Sequence, residues 1–188
     1  MIAAAGLVRP VIVAWSYAGR VALDFLQRAG GDAIAGLVLI SGTTRGDRSM
    51  FGTDALLLER MAAVTDMAQN VAATREFLRS CVAGPLPAAE LELMLAYNLL
   101  VPAEVRAAMG GRQADYHALL GTLSVPVLAI HGAEDRISLP AMAQYTARTC
   151  PNARASIYAG VGHTPFWEAP ERFDAELAAY LDALPESP

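Results

Sequence analysis

Three stretches of this sequence carry groups that could act on one another covalently. Ala14-Trp15-Ser16-Tyr17-Ala18-Gly19 sets a single hydroxyl among small residues. His131-Gly132-Ala133-Glu134-Asp135 ends in two acids, and Gly160-Val161-Gly162-His163-Thr164-Pro165 holds an imidazole. A serine hydroxyl is a weak nucleophile until a base takes its proton, and imidazole serves best as that base when a third group orients it. Serine, acid and histidine in this chain order therefore form a candidate set for nucleophilic catalysis. Ser16 also has a plainer reading, because a serine just ahead of a helix is a good N-cap.

The elements around these residues favour the chemical reading. Four short apolar runs, Pro10–Trp15, Ile34–Ser41, Pro126–His131 and Arg154–Ala159, read as buried parallel strands. Tyr17–Ala29 places Val21, Ala22, Phe25 and Leu26 at helical spacing and stops at Gly30-Gly31. Pro140 suits the first turn of a helix continued by Met142 and Tyr145. Pro170 precedes an amphipathic stripe of Phe173, Leu177, Tyr180, Leu181 and Leu184. Strands alternating with helices predict an α/β domain with a parallel sheet. Parallel strands present their carboxyl ends along one edge, so Ser16, the acid pair and His163 should meet there. The residues two positions either side of Ser16 are both alanine, as a pinched strand-to-helix turn requires.

Residues 44–124 break the alternation. They contain no convincing strand and several helical segments, punctuated by Gly84-Pro85-Leu86-Pro87, Val101-Pro102 and Gly110-Gly111. The expected organisation is a core of residues 1–43 and 125–188 with an all-helical cap over 44–124. Met50, Phe51, Met61, Met67, Phe77, Met94, Tyr97 and Met109 in that block suggest an apolar space beneath a lid. The 188-residue chain is 54% hydrophobic and 18% charged, which predicts a core-rich globular protein. Its net charge of −5 supplies no basic patch for nucleic acid or an anionic membrane. Cys81 and Cys150 read as small buried hydrophobes. Arg9-Pro10 interrupts the first apolar stretch before it could act as a signal, and no run reaches the roughly 18 apolar residues of a membrane span. A soluble, cytoplasmic protein is expected.

With these motifs in place, the chain resembles the α/β-hydrolase superfamily, and within it the capped serine-esterase and cofactor-free haloperoxidase-like branch. The stretches "VIVAWSYAGR", "IAGLVLISGT", "PVLAIHGAEDRISLP" and "GVGHTPFWEAPERF" carry the resemblance, which covers nearly the whole chain. It implies Ser16 as nucleophile, His163 as general base and then acid, Asp135 as the group orienting the imidazole, and the Tyr17 backbone N–H as an oxyanion donor. On this pattern Glu134 is a solvated turn residue, His131 closes a strand and His117 sits in a lid helix. No metal and no cofactor are implied. The substrate implied is a small or medium apolar carboxylic ester or lactone.

The family pattern also places further strands, and a His-Gly-rich loop with a second oxyanion N–H, ahead of the serine turn. Here Met1 stands nine residues before Pro10, and Met1–Leu7 reads as the last turns of a helix. At roughly 30 residues per βαβ unit, about 60 to 100 residues of that pattern are unaccounted for. The expectation is thus the C-terminal part of an α/β-hydrolase fold, with four parallel strands and its first strand an unpaired edge through which a homo-oligomer could form. Two functions follow: a serine hydrolase, or a truncated and catalytically impaired fragment acting as a binding or pseudoenzyme module.

Overall fold

Val11, Ile12 and Val13 are β-branched residues that favour an extended, half-buried backbone, and they open strand β1 (Val11–Trp15). In the computed structural model, which describes residues 2–110 and 115–185, β1 is followed by helix α1 (Ala18–Ala29) and strand β2 (Gly36–Ile40). Five helices come next: α2 (Ala55–Ala63), α3 (Met67–Ser80), α4 (Ala88–Leu99), α5 (Ala103–Met109) and α6 (His117–Thr122). The chain then returns to strand β3 (Val127–Gly132), helix α7 (Ala141–Thr149), strand β4 (Ala153–Tyr158) and helices α8 (Pro165–Glu168) and α9 (Pro170–Asp182). Met1 and Gly111 lie outside the described residues. Ahead of β1 the structure has one short 3-10 turn, Ala3–Ala5, ended by Gly6 at φ 65°. The expected last turns of a helix are reduced to that.

The sheet is fully parallel in the order β1-β2-β3-β4, so strand order follows chain order. Every residue of β2 and β3 is buried, which explains their unbroken apolar sequences. The two-residue repeat divides their side chains between two layers. Leu37, Leu39 and Val127 pack with Leu23 and Leu26 of α1, Leu120 of α6 and Tyr145 of α7. Val38, Ile40, Leu128 and Ile130 face the other way, against Phe173 and Tyr180 of α9. β1 pairs with β2 on one side, and on its remaining surface Val13 is 49% and Trp15 40% exposed. The edge position expected of this strand is what the described residues show.

The helices between β2 and β3 form a separate small cluster, in which Leu78, Leu91 and Leu95 are buried with Phe77 and Met94 packed against them. The last helix of the block, α6, instead packs its Leu120 into the core beneath the sheet. No helix among the described residues is long and apolar enough to cross a membrane.

Two glycines make opposite demands on the packing. A Cβ on Gly132, the last residue of β3, would lie 1.9 Å from the Gly162 carbonyl oxygen and 2.2 Å from that of Val161. Backbone cannot yield cheaply, so Gly132→Ala should cost at least about 2–3 kcal/mol. A Cβ on Gly121 in α6 meets nothing within 4 Å. Gly121→Ala should stabilise by about 0.5–1 kcal/mol through backbone entropy. Urea unfolding midpoints of the two variants should move in opposite directions.

Candidate active site

The serine turn is built by backbone contacts. The Ser16 N–H donates to the Ile40 carbonyl at 2.9 Å, extending the β1–β2 ladder by one residue. The chain then reverses, with Ser16 at φ 54°, a left-handed conformation that costs a non-glycine residue about 1–3 kcal/mol. The Ser16 carbonyl accepts from the N–H groups of Gly19 and Thr43, each at 3.0 Å. Gly19 has to be small, because a Cβ there would sit 3.1 Å from the Thr43 nitrogen. Ala14, two residues before the serine, is buried. The N-cap of α1 is Tyr17, without a side-chain capping bond, so the plainer reading of Ser16 as an N-cap does not hold.

The Ser16 hydroxyl is directed to His163 instead. Ser16 Oγ lies 2.8 Å from His163 Nε2, and His163 Nδ1 lies 2.7 Å from Asp135 Oδ2. A carboxylate only accepts, so Nδ1 carries the proton and donates it to Asp135. In neutral imidazole this leaves Nε2 as an acceptor for the serine O–H. Asp135 and His163 are almost fully buried, while Ser16 is half-buried and open to a cavity. The strand tips therefore bring together Ser16, Asp135 and His163 as expected. Glu134 points to solvent.

Asp135 is held more firmly than its sequence position indicates. Its Oδ1 accepts from the Ile137 and Ser138 N–H groups at 2.9 and 3.0 Å. Its Oδ2 receives His131 Nε2 at 3.1 Å in addition to His163. His131 Nε2 also lies 2.6 Å from the Ser138 carbonyl, so that nitrogen bears the proton and shares it between the two oxygens. Burial is the largest single influence on Asp135 and pushes its pKa up. The hydrogen bonds and charges of His131 and His163 together outweigh it and hold the carboxyl well below the usual carboxylate range. From sequence, His131 is expected only to close a strand. The available signal was its place four residues before Asp135.

Trp15 is a second residue whose part in the site is not legible in the sequence. Its indole N–H donates to the His163 carbonyl at 2.8 Å, and its ring sits 5.6 Å from the imidazole and edge-on to Phe166. The acid loop is braced from outside as well. Gly52 and Asp54 donate to the carbonyls of Ile137 and Arg136, and Leu139 donates to that of Met50. His117, in contrast, places Nδ1 2.9 Å from the Tyr145 hydroxyl, away from this cluster.

A cavity of about 350 Å³ opens onto Ser16 and Tyr17. Phe51, Ala55, Leu58, Met109 and Ile137 give it apolar walls, and Arg20, Arg48 and Glu59 line it as well. Of the large residues singled out in the inserted block, Phe51 and Met109 line this space. Phe77 and Met94 pack in the helices' own cluster, and Met67 and Tyr97 are exposed.

Comparison with known proteins agrees with this architecture. The family model described as alpha/beta hydrolase fold matches residues 1–170, so the chain belongs to the α/β-hydrolase fold family. A pimeloyl-[acyl-carrier protein] methyl ester esterase of Nitrosomonas europaea is 30% identical over 175 residues, an alignment covering 86% of this chain and 67% of that protein. Among solved structures, an esterase from Rhodococcus sp. ECU1013 superposes with a TM-score of 0.89 at 29% identity, covering 98% of this chain and 69% of its own. A thermophilic esterase from Thermogutta terrifontis superposes with a TM-score of 0.73 at 25% identity, covering 96% and 68%.

The depressed Asp135 pKa has a measurable sign. An acid whose pKa is lowered by folding stabilises the fold above its unfolded value, about 3.9, and loses that contribution as pH falls through the folded value. Asp135→Asn cannot titrate. The stability advantage of the parent over Asp135→Asn should therefore be full at pH 7 and shrink below about pH 4, by on the order of 1–3 kcal/mol. Urea midpoints compared across that range check it; a difference independent of pH would show that the carboxylate is not held as described.

Proposed function

We propose that the protein is a serine hydrolase acting on carboxylic esters through Ser16, His163 and Asp135. The observation that carries the proposal is the unbroken run of hydrogen bonds from the Ser16 hydroxyl through the imidazole to a buried carboxylate, at 2.8 and 2.7 Å. In this mechanism His163 Nε2 takes the hydroxyl proton as Ser16 Oγ attacks the ester carbonyl carbon. The imidazolium then returns that proton to the departing alcohol, leaving an acyl-enzyme. Water, activated by the same nitrogen, attacks the acyl carbon and releases the acid with Ser16 restored. Asp135 fixes the Nδ1–H tautomer and stabilises the imidazolium without taking its proton. The backbone N–H of Tyr17, beside the nucleophile at the start of α1, serves as an oxyanion donor, and the helix N-terminus adds its positive potential.

The cavity supports the choice of substrate class. Its volume of about 350 Å³ suits a small or medium acyl group or lactone, and its apolar walls suit one without charge near the carbonyl. The relatives named as esterases support ester hydrolysis over other acyl transfers. The inserted helices act as a cap on this reading, because Ala55 and Leu58 of α2 and Met109 of α5 border the same space.

A fluorophosphonate should label Ser16 covalently, with the site read by peptide mass spectrometry. Ser16→Ala should take no label and His163→Ala very little, whereas Asp135→Asn should remain folded and lose about 10⁴-fold in turnover. Undiminished labelling of Ser16→Ala would refute the assignment. Across p-nitrophenyl acetate, butyrate and hexanoate, each buried methylene is worth about 0.8 kcal/mol, so kcat/KM should rise by up to about fourfold per CH2 until the cavity is filled. A preference for charged acyl groups would assign the governing role to Arg20, Arg48 and Glu59.

A further inference from the structure

The backbone of His163 and of its two neighbours is fastened by Cys81, Trp15 and Glu168, and the last of these is an ionisable side chain outside the triad. The His163 N–H donates to the Cys81 carbonyl, just beyond α3, at 2.7 Å. Its carbonyl accepts the Trp15 indole N–H. The residues on either side are held by Glu168, at the end of α8. Glu168 Oε1 accepts from the N–H groups of Gly162 and Thr164 at 2.9 and 3.3 Å and from the Thr164 hydroxyl at 3.0 Å. Glu168 Oε2 accepts from Gly162 again, at 3.1 Å, and from the Ala83 N–H at 2.7 Å. A glutamate that merely capped α8 would need the Thr164 bonds alone. The bonds to Gly162 and Ala83 tie the histidine loop to the chain that leads from α3 into α4.

We infer that Glu168 is a positioning residue for His163, its carboxylate setting the imidazole in register with Ser16 by clamping the backbone on both sides of it to the segment after α3. The inference rests on the reading of His163 as the general base. Three N–H groups and one hydroxyl converge on this side chain, and an ionised carboxylate, which only accepts, satisfies them all. Glutamine would satisfy the loop with its oxygen but set an NH2 against the Ala83 N–H, so Glu168→Gln separates holding the loop from tying it to that segment. The contact is close throughout. A Cβ on Gly162 would lie 2.8 Å from the Ala83 nitrogen and 2.9 Å from the Cys81 oxygen. The neighbouring Trp167 donates its indole N–H to Glu90 of α4 at 3.0 Å, so α8 grips the inserted helices at a second point. A shift of Cys81–Ala83 thus reaches the imidazole through two bonds, the one from His163 itself and the one through Glu168.

The test compares Glu168→Ala and Glu168→Gln with the parent, Ser16→Ala and His163→Ala, well below the melting midpoint of each. Two quantities are measured: kcat and KM for p-nitrophenyl butyrate, and the Nδ1–H signal of His163 in protein labelled with 15N-histidine. The chain has three histidines, and the His163 signal is the one absent from His163→Ala. A misplacement near 1 Å costs about 10²-fold, so Glu168→Ala should lose about that in kcat with KM changed by less than about threefold. Its His163 signal should broaden into exchange with water while that of His131 persists. Glu168→Gln should lie between the two, with kcat clearly below the parent and a broadened His163 signal, because it keeps the bonds to Gly162 and Thr164 but loses the tie to Ala83. Parental kcat and an unmoved His163 signal in Glu168→Ala, or a loss confined to KM, would overturn the inference. If Glu168→Ala does not fold, a parental kcat and an unmoved His163 signal in Glu168→Gln overturn it equally. Turnover surviving in Ser16→Ala or His163→Ala defeats the reading of the site instead, and the NMR comparison still decides whether Glu168 holds the imidazole.

Discussion

The buried charge of Asp135 is the constraint that the surrounding structure answers to. A carboxylate with no exposed side-chain surface loses its hydration, a penalty of several kcal/mol that only a full set of donors offsets. Two of those donors are backbone N–H groups of its own turn, and two are imidazoles on different strands' ends. Each demand propagates. The turn must keep Ile137 and Ser138 pointing inward, and the Met50–Asp54 segment runs beside it and bonds its outer carbonyls. His131 must present Nε2, and the Ser138 carbonyl fixes that orientation. Gly132 must be bare, because the histidine loop lies against it.

The two oxygens of Asp135 divide this work. Oδ1 is occupied by its own loop and Oδ2 by the two imidazoles, so the carboxylate cannot rotate without breaking bonds on both sides. A group so restrained offers His163 a fixed acceptor. That matters for the proposed mechanism, in which the imidazole gains and loses a proton at Nε2 while Nδ1–H must stay where it is. His131 supplies a standing donor to the same oxygen and keeps the carboxylate ionised throughout. Opposite the acid, Ser16 is placed by the reverse strategy, an unfavourable backbone conformation enforced by its N–H bond to the Ile40 carbonyl and by the bonds its carbonyl accepts from Gly19 and Thr43.

Sequence made the sheet and the three reacting groups legible for separate reasons. The strands declared themselves because those buried on both faces need continuous apolar runs, and observed strand ends lie within two residues of the expected ones. Ser16, Asp135 and His163 declared themselves because a parallel sheet fixes where strand tips go. What stayed hidden was every partner defined by direction rather than position. Nothing in the letters around His131 says whether its ring turns toward the core or toward Asp135. Glu168 lies five residues beyond His163 at the end of the short helix α8, and its bond to Ala83 crosses 85 positions of chain. Trp15 looked like the end of a strand, and its indole bond spans 148. The Met-rich block misled for another reason, because sequence does not distinguish a residue facing a cavity from one filling the insertion's own cluster.

That distinction bears on what the inserted helices contribute. Helices α3 and α4 bury their large residues against each other, and the segment joining them touches the site through backbone, at Cys81 and Ala83. Helices α2 and α5 supply side chains to the cavity wall. One pair therefore bears on the position of the base, and the other on the shape of the space in front of the nucleophile. Substitutions within the α3–α4 cluster would act through His163 and be felt on every substrate alike. Substitutions at Leu58 or Met109 would act through the acyl group and differ from one ester to the next. The two pairs are joined all the same. Arg106 of α5 donates to the Thr74 hydroxyl of α3 at 3.2 Å, and Asn70 of α3 donates to the Met61 and Val64 carbonyls at the end of α2. Arg60 also pairs with Glu76, so a change in the cavity wall reaches the helices that hold the base as well.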